Sequence, residues 1–180
     1  MLKNYNNKIV LGVIGLGVGA FHLKNSLKYK NCHVKYICDT DQKKLLFYKK
    51  KLNIKHATPN FNEIVNDDEV NTIIIASNDK DHFYQVSSAL MNNKHVFVEK
   101  PMCLSMKELN SIIKIKKKKP NLIISSNLLL RTHPFFKKIN SIKKKLKKIY
   151  FLEGDYNYGR LNKLTHGWRG KIKNYFVILG

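Results

Sequence analysis

The stretch from Ile9 to His22, IVLGVIGLGVGAFH, constrains the fold more than any other. Val10 to Ile14 is short, apolar and rich in β-branched residues, as a strand buried on both faces of a parallel sheet should be. Gly15, Gly17 and Gly19 follow within five residues, and Ala20-Phe21-His22-Leu23 opens a helix. Strand, glycine turn and helix together are the context that a dinucleotide-binding turn requires. Gly15 permits the tight turn, and Gly17 lets the backbone approach a pyrophosphate. Ala20 holds the third position, where the helix packs closely on the strand. With Val18 and Gly19, these residues form a candidate phosphate cradle, because a helix start offers N–H groups and a partial positive charge. Glycines also serve close packing, so the turn alone does not decide the function.

Lys3 and Lys8 before an apolar run also have the outline of an export signal. Four glycines interrupt that run and no small-x-small cleavage site follows, so the buried-strand reading is preferred. No apolar stretch approaches the roughly 18 residues of a membrane span. The net charge of +22 invites a nucleic-acid reading. However, of the 34 basic residues only Arg131, Arg160 and Arg169 are arginines, and asparagine is abundant. Arg is the better fork for phosphates and bases, so the lysines are assigned to solvated helix faces. Cys32, Cys38 and Cys103 are odd in number and lack metal-ligand spacing, which predicts no metal site. Free thiols in or beside a strand imply a reducing, cytoplasmic setting.

Taken in order, the chain alternates strands with helices. A helix over 20–29 leads to the strand HVKYIC, which ends at Asp39, about twenty residues after the glycine turn. An acid there is placed to bind the adenosine ribose hydroxyls, while Asp41 suits the cap of DQKKLLFYKKKL. A short helix begins at FNEIV, after Pro59 and Asn60. The strand NTIIIA leads into SNDKDHF and a helix through Met91, with Phe83, Val86 and Leu90 on one face. The strand KHVFV runs directly into Glu99-Lys100-Pro101. Ser105 and Glu108 form a capping box for a helix that turns Leu109, Ile112 and Ile113 inward. Leu122 to Ser126 makes a further strand. This order predicts a doubly wound α/β sheet with right-handed crossovers. In such a sheet ligands bind outside the carboxyl ends of the strands. Gly15–Ala20, Asp39, Ser77–His82 and Glu99–Pro101 all fall at those ends. Beyond Asn127, Phe136, Ile139, Ile142 and Leu146 repeat near helical spacing opposite lysines, and 149–158 alternates like an aromatic strand.

GVIGLGVGAFHL, ICDTD, ASNDKDHFYQVSSAL and VFVEKPMCLSMKEL together resemble the Gfo/Idh/MocA oxidoreductases, from about Lys8 to the C-terminus. The Glu-Lys-Pro motif after the fifth strand is far more specific than the glycine turn. The resemblance implies a Rossmann domain over 1–126 that binds NAD, with NADP possible. It also implies that 127–180 begins a second α/β domain for substrate and oligomerisation. By position, Gly15, Gly17 and Ala20 match the pyrophosphate turn, and Asp39 matches the ribose-binding acid. Ser77, Asn78 and His82 match a loop beside the nicotinamide. Glu99, Lys100 and Pro101 match the motif of the active-site lysine, with Pro101 often in a cis bond. Arg131 matches the substrate-side segment, and His166, Trp168 and Arg169 resemble members acting on larger sugars.

The chemistry is consistent with that assignment. The nicotinamide carries the hydride, so the protein must hold two ligands and move a hydroxyl proton. A lysine desolvated beside a cationic ring is suited to that transfer. The family places Gly-Gly, then an Asp and a His, just beyond residue 180, so this sequence is expected to be the N-terminal part of a longer enzyme. The leading reading is an NAD(P)-dependent oxidoreductase acting on a hydroxyl of a sugar, inositol or nucleotide sugar. It implies a small-molecule substrate, no nucleic-acid or membrane partner, and a homo-oligomer in the longer version. A nucleotide-binding module without catalysis and a basic nucleic-acid-binding protein are the alternatives.

Overall fold

The computed structural model describes residues 8–146 and 148–155. The chain divides into two compact units, with the boundary between Leu128 and Leu129. The first unit is one six-stranded sheet in the order β3-β2-β1-β4-β5-β6. The strands are β1 (Ile9–Ile14), β2 (Cys32–Cys38), β3 (His56–Thr58), β4 (Thr72–Ile75), β5 (His95–Val98) and β6 (Ile124–Ser126). Every pairing is parallel. Helices α1 (Gly19–Ser26), α2 (Gln42–Leu52), α3 (Phe61–Val65), α4 (Asp79–Met91) and α5 (Met106–Lys118) connect them. This is the expected Rossmann arrangement.

The sheet is apolar on both faces because each face is covered by helices. Leu11, Val13, Val34, Ile37 and Ile74 pack with Leu23 of α1 and Leu45 of α2. Ile14, Ile73, Ile75, Val96 and Val98 pack on the other face with Ile64, Val86, Leu90 and Ile112 from α3, α4 and α5. The alternation of Ile73, Ile74 and Ile75 between the two clusters is the two-residue period of a strand.

Local capping chemistry sets several helix boundaries. The Asp41 carboxylate accepts the N–H groups of Lys43 and Lys44 at the start of α2. Asn53 takes a left-handed conformation (φ 50°) at the end of that helix, a role Asn tolerates. Asn60 caps α3, and the Ser105 hydroxyl accepts the Glu108 N–H at 3.2 Å. Glu108 reaches back to the N–H of Leu104, one residue earlier than a standard capping box would have it.

Three expectations differ from the structure. β3 did not register in the sequence, because it has only three residues and is held by its pairing with Tyr36, Ile37 and Cys38. Ile113 does not turn inward. It is 41% exposed and lines a shallow groove with Met102, Leu109 and Ile124. Residues 149–155 form no strand, and no described residue pairs with them. Tyr150, Phe151 and Leu152 are strongly exposed there, and the remainder of the expected strand, 156–158, lies outside the described residues.

The second unit contains a short 3₁₀ turn (Leu129–Arg131) and the helix α6 (Pro134–Lys143). His133 caps α6 and Pro134 takes its first position, where a missing N–H costs nothing. Phe136 and Ile139 are half-buried, while Ile142 and Leu146 are exposed. No described helix is long and apolar enough to cross a membrane.

Candidate cofactor site

The glycine turn leaves β1 through Gly15, whose φ of +85° is readily adopted only by glycine. A Cβ here would overlap the Ala76 carbonyl and the Ser77 nitrogen, so the turn lies directly against the end of β4. The Gly15 N–H donates to the Cys38 carbonyl at 2.7 Å, which ties the turn to the end of β2. Gly17 is exposed, and a Cβ built on it would meet nothing within 4 Å, so the space above the turn is open. Helix α1 approaches the sheet closely at Gly19. A Cβ on Gly19 would lie 3.1 Å from Ala76 Cβ and 3.4 Å from Val13 Cγ1. Ala20 is buried beside it. The start of α1 at Val18 has no side-chain cap, and its first turn holds no acidic residue. Its leading N–H groups therefore suit an external anion.

Asp39 closes the turn from the other side. Its Oδ2 accepts the Leu16 N–H at 2.6 Å, and its Oδ1 accepts the Asp41 N–H at 2.8 Å. Each oxygen retains a further lone pair for a hydroxyl. Cys38, next in sequence, is enclosed. Burial, with the charges of Asp39 and Glu63, pushes its thiol up to about 12.

After β4, the Ser77 hydroxyl donates to Gln85 Oε1 at 2.6 Å. Asn78 is exposed and its side chain makes no capping bond. His82 departs from expectation because it is fully enclosed and presents nothing to a ligand. Its Nδ1 lies 2.6 Å from the Pro101 carbonyl and its Nε2 lies 3.3 Å from the Ser77 carbonyl. Both partners are carbonyls, which only accept, and a neutral ring has one N–H. The much shorter contact therefore assigns that hydrogen to Nδ1, donating to Pro101. His82 thus supports the lysine turn from beneath.

The lysine turn follows β5. The Lys100–Pro101 peptide bond is cis, and the Lys100 side chain is exposed. Glu99 is mostly buried. Its Oε1 lies 2.7 Å from His22 Nε2 and accepts Asn127 Nδ2 at 2.7 Å. Burial alone would raise the Glu99 carboxyl, but the bonds from His22 and Asn127 outweigh it and hold the group below the usual range. His22 also packs edge-on against Phe97, with ring centroids 5.3 Å apart.

All these groups stand at the carboxyl edge of one sheet, where doubly wound folds bind ligands. The sequence reading missed the roles of His22 and Asn127. His22 is 77 residues from Glu99 in the chain, and no local spacing links the two. Arg131 is exposed in the 3₁₀ turn of the second unit. His166, Trp168 and Arg169 lie outside the described residues.

Residues 9–127 match the family profile described as "Oxidoreductase family, NAD-binding Rossmann fold". The myo-inositol 2-dehydrogenase of Thermotoga maritima is 29% identical over 130 residues, covering 72% of this chain and 39% of that protein. An uncharacterised oxidoreductase of Bacillus subtilis is 28% identical over 137 residues, covering 75% of this chain and 40% of its own. The chain thus spans about two fifths of the length of these curated relatives. Among solved structures, the scyllo-inositol dehydrogenase of Lactobacillus casei with bound NAD(H) and scyllo-inositol superposes with a TM-score of 0.71. That match has 23% identity and covers 77% of this chain and 42% of the other. At that identity the likeness speaks for the fold.

Proposed function

The chain belongs to the Gfo/Idh/MocA oxidoreductases, and on that premise we propose that it holds NAD(H) across the carboxyl edge of its sheet and serves hydride transfer at a hydroxyl carbon of a cyclic polyol or sugar. The observation that supports this most is the glycine turn, open above Gly17 and uncapped at α1, beside an Asp39 carboxylate with lone pairs to spare. The pyrophosphate is assigned to the turn at Gly15–Ala20 and the adenosine ribose to Asp39. The nicotinamide is assigned to the region between Ser77, Asn78 and Lys100. When bound, the nicotinamide supplies the hydride chemistry. The exposed ammonium of Lys100 is the group that exchanges a proton with the substrate hydroxyl.

Asp39 favours NAD over NADP in this reading, because a carboxylate accepts from ribose hydroxyls and repels a phosphate in their place. A polyol substrate is suggested by the myo-inositol 2-dehydrogenase relative and the scyllo-inositol complex. NADH titration of the chain and of Gly17→Val tests the core of the proposal. The wild type binds, and the valine, which fills the open space, abolishes binding while the far-ultraviolet circular dichroism stays native. Unchanged affinity in a folded Gly17→Val chain would refute the site.

A further inference from the structure

We propose that His22 and Asn127 are positioning residues for Lys100, acting through the carboxylate of Glu99. The proposal rests on the reading of Lys100 as the residue that faces the cofactor and substrate. Three elements that carry the site meet at one oxygen. His22 comes from α1, the helix that opens at the glycine turn. Glu99 closes β5, and Asn127 closes β6. The His22 and Asn127 contacts to Glu99 Oε1 are both 2.7 Å, and the His22 and Glu99 side chains are only 16% and 12% exposed.

A mostly buried pair of this kind is weak evidence for stability, since desolvation offsets much of its attraction. Its location is the informative feature. Glu99 directly precedes Lys100, and its Oε2 lies 3.4 Å from the Lys100 backbone nitrogen. On the other flank, the Pro101 carbonyl is bonded to the enclosed His82 at 2.6 Å. Both neighbours of Lys100 are therefore tied to other elements, while the Lys100 side chain itself is exposed. A reacting group has to be held within roughly 0.5 Å of its productive place, and bonding on both flanks achieves this without immobilising the ammonium. The same contacts connect the lysine turn to the helix assigned to the pyrophosphate.

The test is a double-mutant cycle read by NADH affinity. His22→Leu, His22→Gln and Asn127→Leu are each made with Lys100 present and in Lys100→Met. Both leucine variants are expected to weaken NADH binding roughly three- to tenfold when Lys100 is present, the scale of coupling between groups in one network. In Lys100→Met they should cost less than about twofold more. His22→Gln, whose amide still donates to Glu99, should restore most of the affinity. A second readout needs no cofactor. With the lysines ¹³C-dimethylated, the Lys100 signal, assigned by its loss in Lys100→Met, should move in both leucine variants and return in His22→Gln. Losses that add fully in the cycle, or a Lys100 signal that does not move, would overturn the proposal. Should His22→Leu fail to fold, Asn127→Leu makes the same test from the other side of Glu99. A wild type that does not bind NADH defeats the cofactor assignment instead, and the Lys100 signal then decides this inference.

Discussion

Asp39 accepts the backbone N–H of Leu16 at 2.6 Å, so the acid expected to meet a ribose also clasps the glycine turn. The end of β2 and the turn after β1 are one unit, joined a second time by the Gly15 to Cys38 bond. Asp39→Ala leaves two backbone donors without their acceptor, a loss of roughly 1–3 kcal/mol in folding stability. It should also narrow the preference for NADH over NADPH. Urea denaturation and parallel titrations with the two cofactors measure both effects. An alanine variant with wild-type stability would show that the clasp does no structural work.

Gly15 and Gly17 should fail in opposite ways when changed to alanine. Gly15→Ala forces a side chain into a left-handed backbone and against the Ala76 carbonyl. The backbone conformation alone costs about 1–2 kcal/mol, and the overlap adds to it. Gly17→Ala, with open space around its Cβ, should leave the melting temperature nearly unchanged and weaken NADH. Thermal melts of the two variants distinguish the roles.

The acid limb of the stability curve should depend on Lys35. The Asp67 carboxyl would be raised by burial, but hydrogen bonds from Lys35 and Tyr36 outweigh that and lower it from 3.8 to about 2. A carboxyl depressed in the folded state stabilises above its unfolded value and loses that contribution as pH falls toward the folded value. Wild-type stability should therefore fall between about pH 4 and pH 2. Lys35→Met should be less stable at pH 6 and show a shallower decline over the acid range. Urea midpoints from pH 2 to pH 7 test this, and parallel curves for the two proteins would contradict it.

The three cysteines should react at different rates. All are free, but Cys38 is enclosed and its thiol is pushed up to about 12, which leaves little thiolate at neutral pH. A native-state titration with a thiol reagent should modify Cys32 and Cys103 first, with Cys38 reacting only on unfolding. Peptide mapping after a short exposure identifies the order. Early modification of Cys38 would mean that the end of β2 opens readily.

Features that depend on neighbouring residues were legible in the chain itself. The apolar run before Gly15, the Asp41 cap, the Ser105–Glu108 box and the strand-like run at Ile73–Ile75 all follow from spacings of four residues or fewer. The order of strands and helices then implied the doubly wound sheet, and the sheet implied which loops share an edge. Tertiary structure decided what depends on distant partners. β3 exists because β2 shelters its three residues, and among the described residues 149–155 form no strand. Ile113 faces a groove although its spacing fitted the core, and His82 is enclosed although its loop was expected to meet a ligand. The Leu16–Asp39 clasp and the His22–Glu99–Asn127 junction join residues separated by 23 to 77 positions. Periodicity and capping act within a turn or two of chain, whereas these hydrogen bonds form only once the packed sheet has brought its loop ends together.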